Sequence, residues 1–271
     1  MRIAVWVAAA VLASSCARPL VKLPSGPGAP ATDGREVLAA ATASCSRIRT
    51  FTAEIGLSGK IEGQRIRARL LVGTESPASA RVEVVAPAGA PIFVFAARGD
   101  DGTLLMPRDL RVLEHGRPDD ILEAIAGVPL NAAELRQTLT GCWPDSDASN
   151  ARQFGEDWRV VETQGNRVAV TLHREHPADP WRLVAAERQA AGGTRGWRAL
   201  YSDFQENLPH TVRLASLGAT GAGSFDLQLS LSQIDTNVAL DAEAFRVKIP
   251  PGATPISLDE LRHARPGVRE N

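Results

Sequence analysis

His173 and His176 stand three residues apart, and two imidazoles at that spacing can share a metal ion when both project from one helical face. Here the residues before His173 alternate as a strand and the run meets Pro177, so the two rings do not share such a face. No third ligand stands out, and no metal or other cofactor is expected. Asp100-Asp101 and Asp119-Asp120 offer paired carboxylates for acid–base work. A turn and a helix N-terminus account for them more simply. The chain carries no G-x-S-x-G, no P-loop and no dinucleotide fingerprint, so a non-enzymatic role is expected. Arg65, Arg67 and Arg69 recur at every second position and could meet anionic headgroups, or simply form the wet face of a strand.

Three cysteines remain, and their chemistry depends on the compartment. Met1-Arg2 supplies one positive charge, Ile3 to Leu12 an apolar run too short to span a bilayer, and Ala13-Ser14-Ser15 small residues before Cys16. A secretory leader has this layout, and the ending resembles a bacterial lipobox, in which the cysteine becomes the acylated N-terminus. Cys16 is therefore the expected lipidation site. Cys45 and Cys142 are then left outside the cytoplasm, where disulfides persist. A bridge between them, pinning the first helix to the end of a mid-chain helix, is expected; two unpaired buried thiols are the alternative.

Without the leader's one arginine the chain has 29 basic against 31 acidic residues. That near balance argues against a nucleic-acid surface, which shows a basic excess. No later apolar run reaches the roughly 20 residues of a membrane helix, so attachment rests on lipid. Four prolines and two glycines between Cys16 and Asp33 read as an extended tether. The expected organisation is residues 1–15 as leader, 16–33 as tether and 34–271 as one domain.

Asp33 and Glu36 are placed for a capping box, and Val37, Ala41, Cys45 and Ile48 make a helical stripe. From Phe51 the period is two: Phe51, Ala53, Ile55 and Leu57 alternate with polar residues. Ile61-Glu62-Gly63-Gln64 reads as a turn, and Ile66, Ala68, Leu70 and Val72 alternate again. Strands follow at Arg81–Val85 and Ile92–Ala97, with short ones at Thr103–Met106 and Arg111–Leu113. Two helices are predicted after Pro118 and after the Asn131/Glu134 capping pair, ending at Gly127 and Gly141. A polar loop, Pro144 to Asn150, precedes six more strands between Trp158 and Ile234, and helical turns near Asp241 and Leu258 close the domain. Trp158, Trp181 and Trp197 are placed at the sheet's rim. The fold class is mainly β: a strongly curved antiparallel unclosed barrel of about 10–11 strands, its apolar concave face lidded by helices.

With Arg49-Thr50-Phe51-Thr52-Ala53 entering the first strand, Val84-Val85-Ala86-Pro87-Ala88-Gly89 at a strand–loop junction, the mid-chain helix pair, and an ending of Asn237-Val238, Phe245, Ile249-Pro250 and Ile256-Ser257-Leu258, the chain resembles the LolA/LolB group from Cys45 to Leu261. That group comprises periplasmic lipoprotein carriers and outer-membrane lipoprotein receptors. The resemblance implies a cavity for acyl chains of lipoproteins or lipid, an outer-membrane location and possible exchange with a periplasmic carrier protein. Ala17 after Cys16, where an inner-membrane-retained lipoprotein often has Asp, favours the outer membrane. Pro87, Ala88 and Gly89 fall on a membrane-facing loop; receptors carry an exposed leucine where this chain has Ala88, so the wedge is missing. A monomer is expected. Candidate lining residues are Phe51, Ile55, Leu57, Ile66, Leu70, Val84, Phe93, Phe95, Leu227, Leu229 and Leu231, each of which could equally be ordinary core.

Overall fold

A computed structural model describes residues 22–86, 89–163, 168–190, 195–218, 221 and 223–263. Its strands form one mixed sheet of fifteen that does not close into a barrel. An edge pair, β1 (Ala29–Pro30), precedes α1 (Gly34–Thr42). A six-strand meander follows: β2 (Thr50–Ile61), β3 (Gln64–Glu75), β4 (Ser79–Val85), β5 (Pro91–Arg98), β6 (Asp101–Met106) and β7 (Arg111–Gly116). Two helices, α2 (Pro118–Ala126) and α3 (Ala132–Thr140), separate it from a second meander. That one comprises β8 (Ala148–Phe154), β9 (Trp158–Thr163), β10 (Val168–His173), β11 (Arg182–Arg188), β12 (Gly196–Gln205), β13 (Leu208–Leu217) and β14 (Phe225–Thr236). The chain ends its described part with β15 (Thr254–Pro255) and α4 (Leu258–His263).

The two meanders join through β14 and β2, paired antiparallel over most of their length. Every strand pair is antiparallel except β15, which runs parallel to β7. The β2–β3 hairpin turns at Glu62 and Gly63, both at positive φ (51° and 82°), as a two-residue hairpin turn of type I′ requires. At Gly59 (φ +147°) a Cβ would stand 2.1 Å from the Asp226 carbonyl of β14, so the two strands approach more closely than any side chain permits. Gly59→Ala is expected to cost at least about 2 kcal/mol, read as a lowered denaturation midpoint. An unchanged midpoint would contradict the close approach.

α1 lies on β8 to β11, α2 on β6 and against α4, and α3 across β13, β3 and β4. The inward strand residues and the buried residues of these helices form one continuous apolar core. Asn131 and Glu134 make the capping box expected of them: Glu134 N donates to Asn131 Oδ1 at 2.9 Å, and Asn131 N to Glu134 Oε2 at 3.0 Å. Gly127 and Gly141 end α2 and α3 in the left-handed conformation.

Four expectations need correction. Asp33 stands at the N-cap of α1 but caps nothing; its carboxylate takes Arg159 Nε at 2.9 Å and Nη2 at 3.0 Å. Arg159 is 8 % exposed, and a charge-assisted fork to it outweighs a single cap bond. Those hydrogen bonds hold the Asp33 carboxyl below its usual range. The first helix stops at Thr42, and Cys45 and Ile48 continue its apolar stripe from successive turns. Ala29 and Pro30, inside the stretch read as tether, pair with Arg152 and Gln153 of β8, so the sheet begins earlier. Trp197 is not on the rim: it is fully buried, its ring 6.1 Å from that of Trp143. By contrast Trp158 packs on His173, and Trp181 lies under Arg159 and Arg174. His176 faces Asp179 instead, so the H-x-x-H pair is divided.

Candidate functional site

Alternation along β2, β3 and β14 puts the apolar candidates on one face, and the strand register sets them in adjoining rows. Leu231, Ile55, Leu70, Val84 and Phe93 stand opposite one another across five consecutive strands. Val212, Leu229, Leu57 and Ala68 make the next row. Leu214, Leu227, Gly59 and Ile66 make a third, in which the backbone of β14 fills the place a Gly59 side chain would take. Phe51 and Phe95 lie toward the opposite end, the first beside Thr74 and the second between Val82 and Leu104. The sheet therefore brings all eleven sequence candidates to the same side.

Their burial differs from strand to strand within each row. Phe51, Ile55 and Phe95 are fully buried, and Leu227, Leu229 and Leu231 nearly so. Val84 is buried too, outside the main core cluster. Toward the β2–β3 turn the inward side chains change character: Leu57, Ile61, Ile66, Leu70 and Phe93 are only half-buried, packed against the core on one side and open on the other. The end holding Phe51, Ile55 and Phe95 is filled; beyond it Leu57, Ile66, Leu70 and Phe93 form a less buried apolar patch, the candidate mouth, beside Leu227 and Leu229, which stay buried. The segment after β4 borders this mouth, since Val85 pairs with Arg69. Gly89 there has a positive φ (85°) and donates its N–H to the Ala86 carbonyl. Pro87, Ala88 and Cys16 lie outside the described residues.

The filled end contains residues that the sequence pattern did not single out. Trp143, Trp197 and Tyr201 are buried together beneath the helices, and burial pushes the Tyr201 phenol pKa up. Trp197, Ala199 and Tyr201 recur at every second position along β12 and share its buried face, a pattern visible in the sequence; Trp143 follows α3 and had no local signal. Leu38, Ile121, Leu130 and Leu139 cover the strands from the helix side and from the α2–α3 connection. A disulfide joins Cys45 to Cys142, Cα atoms 5.8 Å apart, and ties the segment after α1 to the end of α3. The cover over the filled end is therefore covalently fixed.

The outer face is different. Arg65, Arg67 and Arg69 are exposed there, Arg69 lying 3.6 Å from Glu54. A cleft of about 370 Å³ opens on the same side, bordered by Glu54, Leu71, Arg81, Leu240 and Phe245. Arg81 donates to the carbonyls of Ala244 and Arg246 and holds that segment against β4. This cleft is separated from the inner trough by the sheet itself.

Several solved structures superpose on this fold over most of the chain. A LolA superfamily protein from Nitrosomonas europaea superposes with a TM-score of 0.55 at 13 % identity, over 79 % of this chain and 97 % of that one. The chain has the LolA fold. An outer membrane lipoprotein-sorting protein domain from Vibrio parahaemolyticus superposes on the same LolA-like sheet with a TM-score of 0.52 at 13 % identity, covering 79 % of this chain and 96 % of that one. A DUF1329 family protein from Desulfovibrio piger gives 0.54 at 11 % identity, over 80 % and 98 %. At these identities the likeness is one of fold. No protein-family model and no curated protein matches the sequence of this chain.

Proposed function

We propose that this protein is an envelope lipoprotein, anchored through Cys16, that takes acyl chains of lipoproteins or lipids into the inner trough of its sheet. The uneven burial of the inward rows carries the reading. Leu57, Ile66, Leu70 and Phe93 are only half-buried beside the fully buried Ile55 and Phe95, which an apolar opening over β2, β3 and β5 would explain. About a dozen methylenes moved from water into such a trough gain on the order of 10 kcal/mol at ~0.8 each, before the cost of ordering chain and protein. No positioned catalytic group is needed for this. The solved structures of like fold include a lipoprotein-sorting domain, which supports an envelope role.

On this reading residues 1–15 are removed, the stretch from Cys16 spans from the lipid to the sheet, and the remainder acts as one domain at the periplasmic face of the outer membrane. On the same reading Pro87, Ala88 and Gly89 would be the part of the chain that meets the membrane. Ala88 gives it no wedge, so cargo would pass from a periplasmic carrier protein to the mouth by contact rather than by deep insertion.

The test is direct. The full chain with Cys16→Ala, purified without detergent, is extracted with organic solvent and analysed by mass spectrometry. Acyl-bearing lipid is expected from the parent. With Leu70→Glu, which puts a charge into the mouth but not into the filled end, recovery is expected to fall at least about tenfold with an unchanged circular dichroism spectrum. A parent that yields no acyl chains would leave only a scaffold or sensor lipoprotein of the same fold.

A further inference from the structure

We infer that the outer face of the β2–β3 hairpin, through Lys60, Arg65, Arg67 and Arg69, is a docking surface for an anionic phospholipid bilayer. The period of β3 puts Arg65, Arg67 and Arg69 on one face of the strand, and all three are exposed. Lys60, exposed as well, stands directly opposite Arg65 in the register of β2 and β3, a like-charge pairing that weakens a ladder. Opposite Arg67 and Arg69 the same register sets Ser58 and Gly56, neither of which carries a charge. Three arginines on the outer face of other strands each hold a carboxylate: Arg81 that of Glu83, Arg198 that of Glu187 and Arg213 that of Asp226. Arg65 and Arg67 make no ion pair among the described residues. The acids bordering the row are engaged. Asp226 faces Lys60 across β14 and β2, but its two oxygens take Arg213 Nε at 2.9 Å and Nη2 at 2.7 Å. Glu54 lies 3.6 Å from Arg69, and the Glu62 carboxylate accepts from Gly223 N at 2.6 Å.

The hairpin's place in the sheet suits a bilayer met edge-on. β3 pairs with β4 only from Arg69 onward, so the part carrying Lys60, Arg65 and Arg67 runs on past the end of β4. Its other face bears Ile61, Ile66 and Leu70, half-buried on the side of the candidate mouth, so cations and aliphatic side chains alternate along one projecting strand pair. An element that offers cations on one side and apolar groups on the other settles at the boundary between headgroups and acyl chains. Four basic residues reach the number at which a cluster holds an anionic leaflet, and each guanidinium fork can take two phosphate oxygens at once. The aliphatic row beside the charges favours a lipid surface over an acidic protein. The inference rests on the envelope location proposed above, and not on acyl chains entering the trough.

Co-sedimentation with vesicles tests the surface, using the full chain with Cys16→Ala so that no attached lipid contributes. Mixed phosphatidylglycerol–phosphatidylcholine vesicles are expected to bind the parent more tightly than pure phosphatidylcholine, which measures any hold by the apolar leader alone. Arg67→Gln should weaken binding to the mixed vesicles about fivefold, and Arg65→Gln combined with Arg67→Gln about twentyfold or more, with unchanged circular dichroism spectra. Arg182→Gln removes an exposed charge from β11, well along the sheet from the hairpin, and should bind as the parent does. Raising the ionic strength from about 0.1 M to about 1 M shortens the screening length from about 10 Å to about 3 Å and should abolish the preference. A parent with no preference for the anionic vesicles, or a double variant that binds them as the parent does, overturns the proposal. An equal loss in Arg182→Gln overturns it too, because net charge alone would then account for the binding. A parent that ignores anionic vesicles yet yields acyl chains on extraction would remove this surface and leave the trough reading standing.

Discussion

Opening the Cys45–Cys142 bridge, by reduction or by Cys142→Ser, is expected to lower the free energy of unfolding by about 4 kcal/mol. The two residues are 97 apart in sequence, and closing a loop of that size removes roughly 4 to 5 kcal/mol of chain entropy from the unfolded state in the simplest account. The native side is well placed to keep that gain. Both cysteines are buried, Cys45 N and Ser46 N are bonded back to the Thr42 carbonyl, and Ile48 N to the Cys45 carbonyl. Losing the covalent tie should therefore leave the fold recognisable but loosen α3 against β3 and β4. Urea unfolding with and without reductant reads the effect. Two free thiols in the unreduced protein, or an identical midpoint under both conditions, would end this expectation.

Glu134→Ala is expected to cost about 3 to 5 kcal/mol, although Glu134 lies on a helix whose sequence is otherwise unremarkable. Its carboxylate is 3 % exposed and serves two neighbours at once. One oxygen accepts from Arg188 Nη1 at 2.7 Å, and the other closes the capping box on Asn131 N. Arg188 also donates to the Pro129 carbonyl and lies 5.6 Å over the Trp197 ring, so it is held among buried groups and cannot swing out to water. Removing its carboxylate strands a guanidinium in a poorly solvated place, the situation in which breaking a buried pair costs most. Loss of the cap adds about 1 kcal/mol. Glu134→Gln, which keeps the shape and loses the charge, should recover part of the difference. Denaturant midpoints measure both, and a cost below about 1 kcal/mol for the alanine variant would show that Arg188 finds another partner.

Much of this architecture is legible along the chain because it is written in local period. The β2–β3 hairpin, the capping box of α3, the glycine stops of α2 and α3, and the long alternation of β14 all depend on residues within a few positions of one another. The unread strands are those with no inward apolar row. β8, of sequence Ala-Ser-Asn-Ala-Arg-Gln-Phe, is half exposed and exists because β9 on one side and β1 on the other take its backbone groups. β1 and β15 are two residues long and carry no periodicity at all. Asp33 shows the same limit in a side chain: its sequence neighbours offer a cap, but Arg159, 126 positions away, takes the carboxylate. Within the trough, alternation identified which side chains point inward. It could not separate Ile55, fully hidden, from Leu57 two residues later, because that difference depends on what parts of the chain distant in sequence cover each side chain.

The sheet's openness leaves two raw seams, each a row of backbone groups on which another chain could add itself. Here each seam is finished by a two-residue stub ending in proline, Pro30 on β1 and Pro255 on β15. Proline has no N–H to offer a newcomer, and a stub of two residues gives too little ladder to grip. The open sheet thus gives a further strand little to grip at either margin.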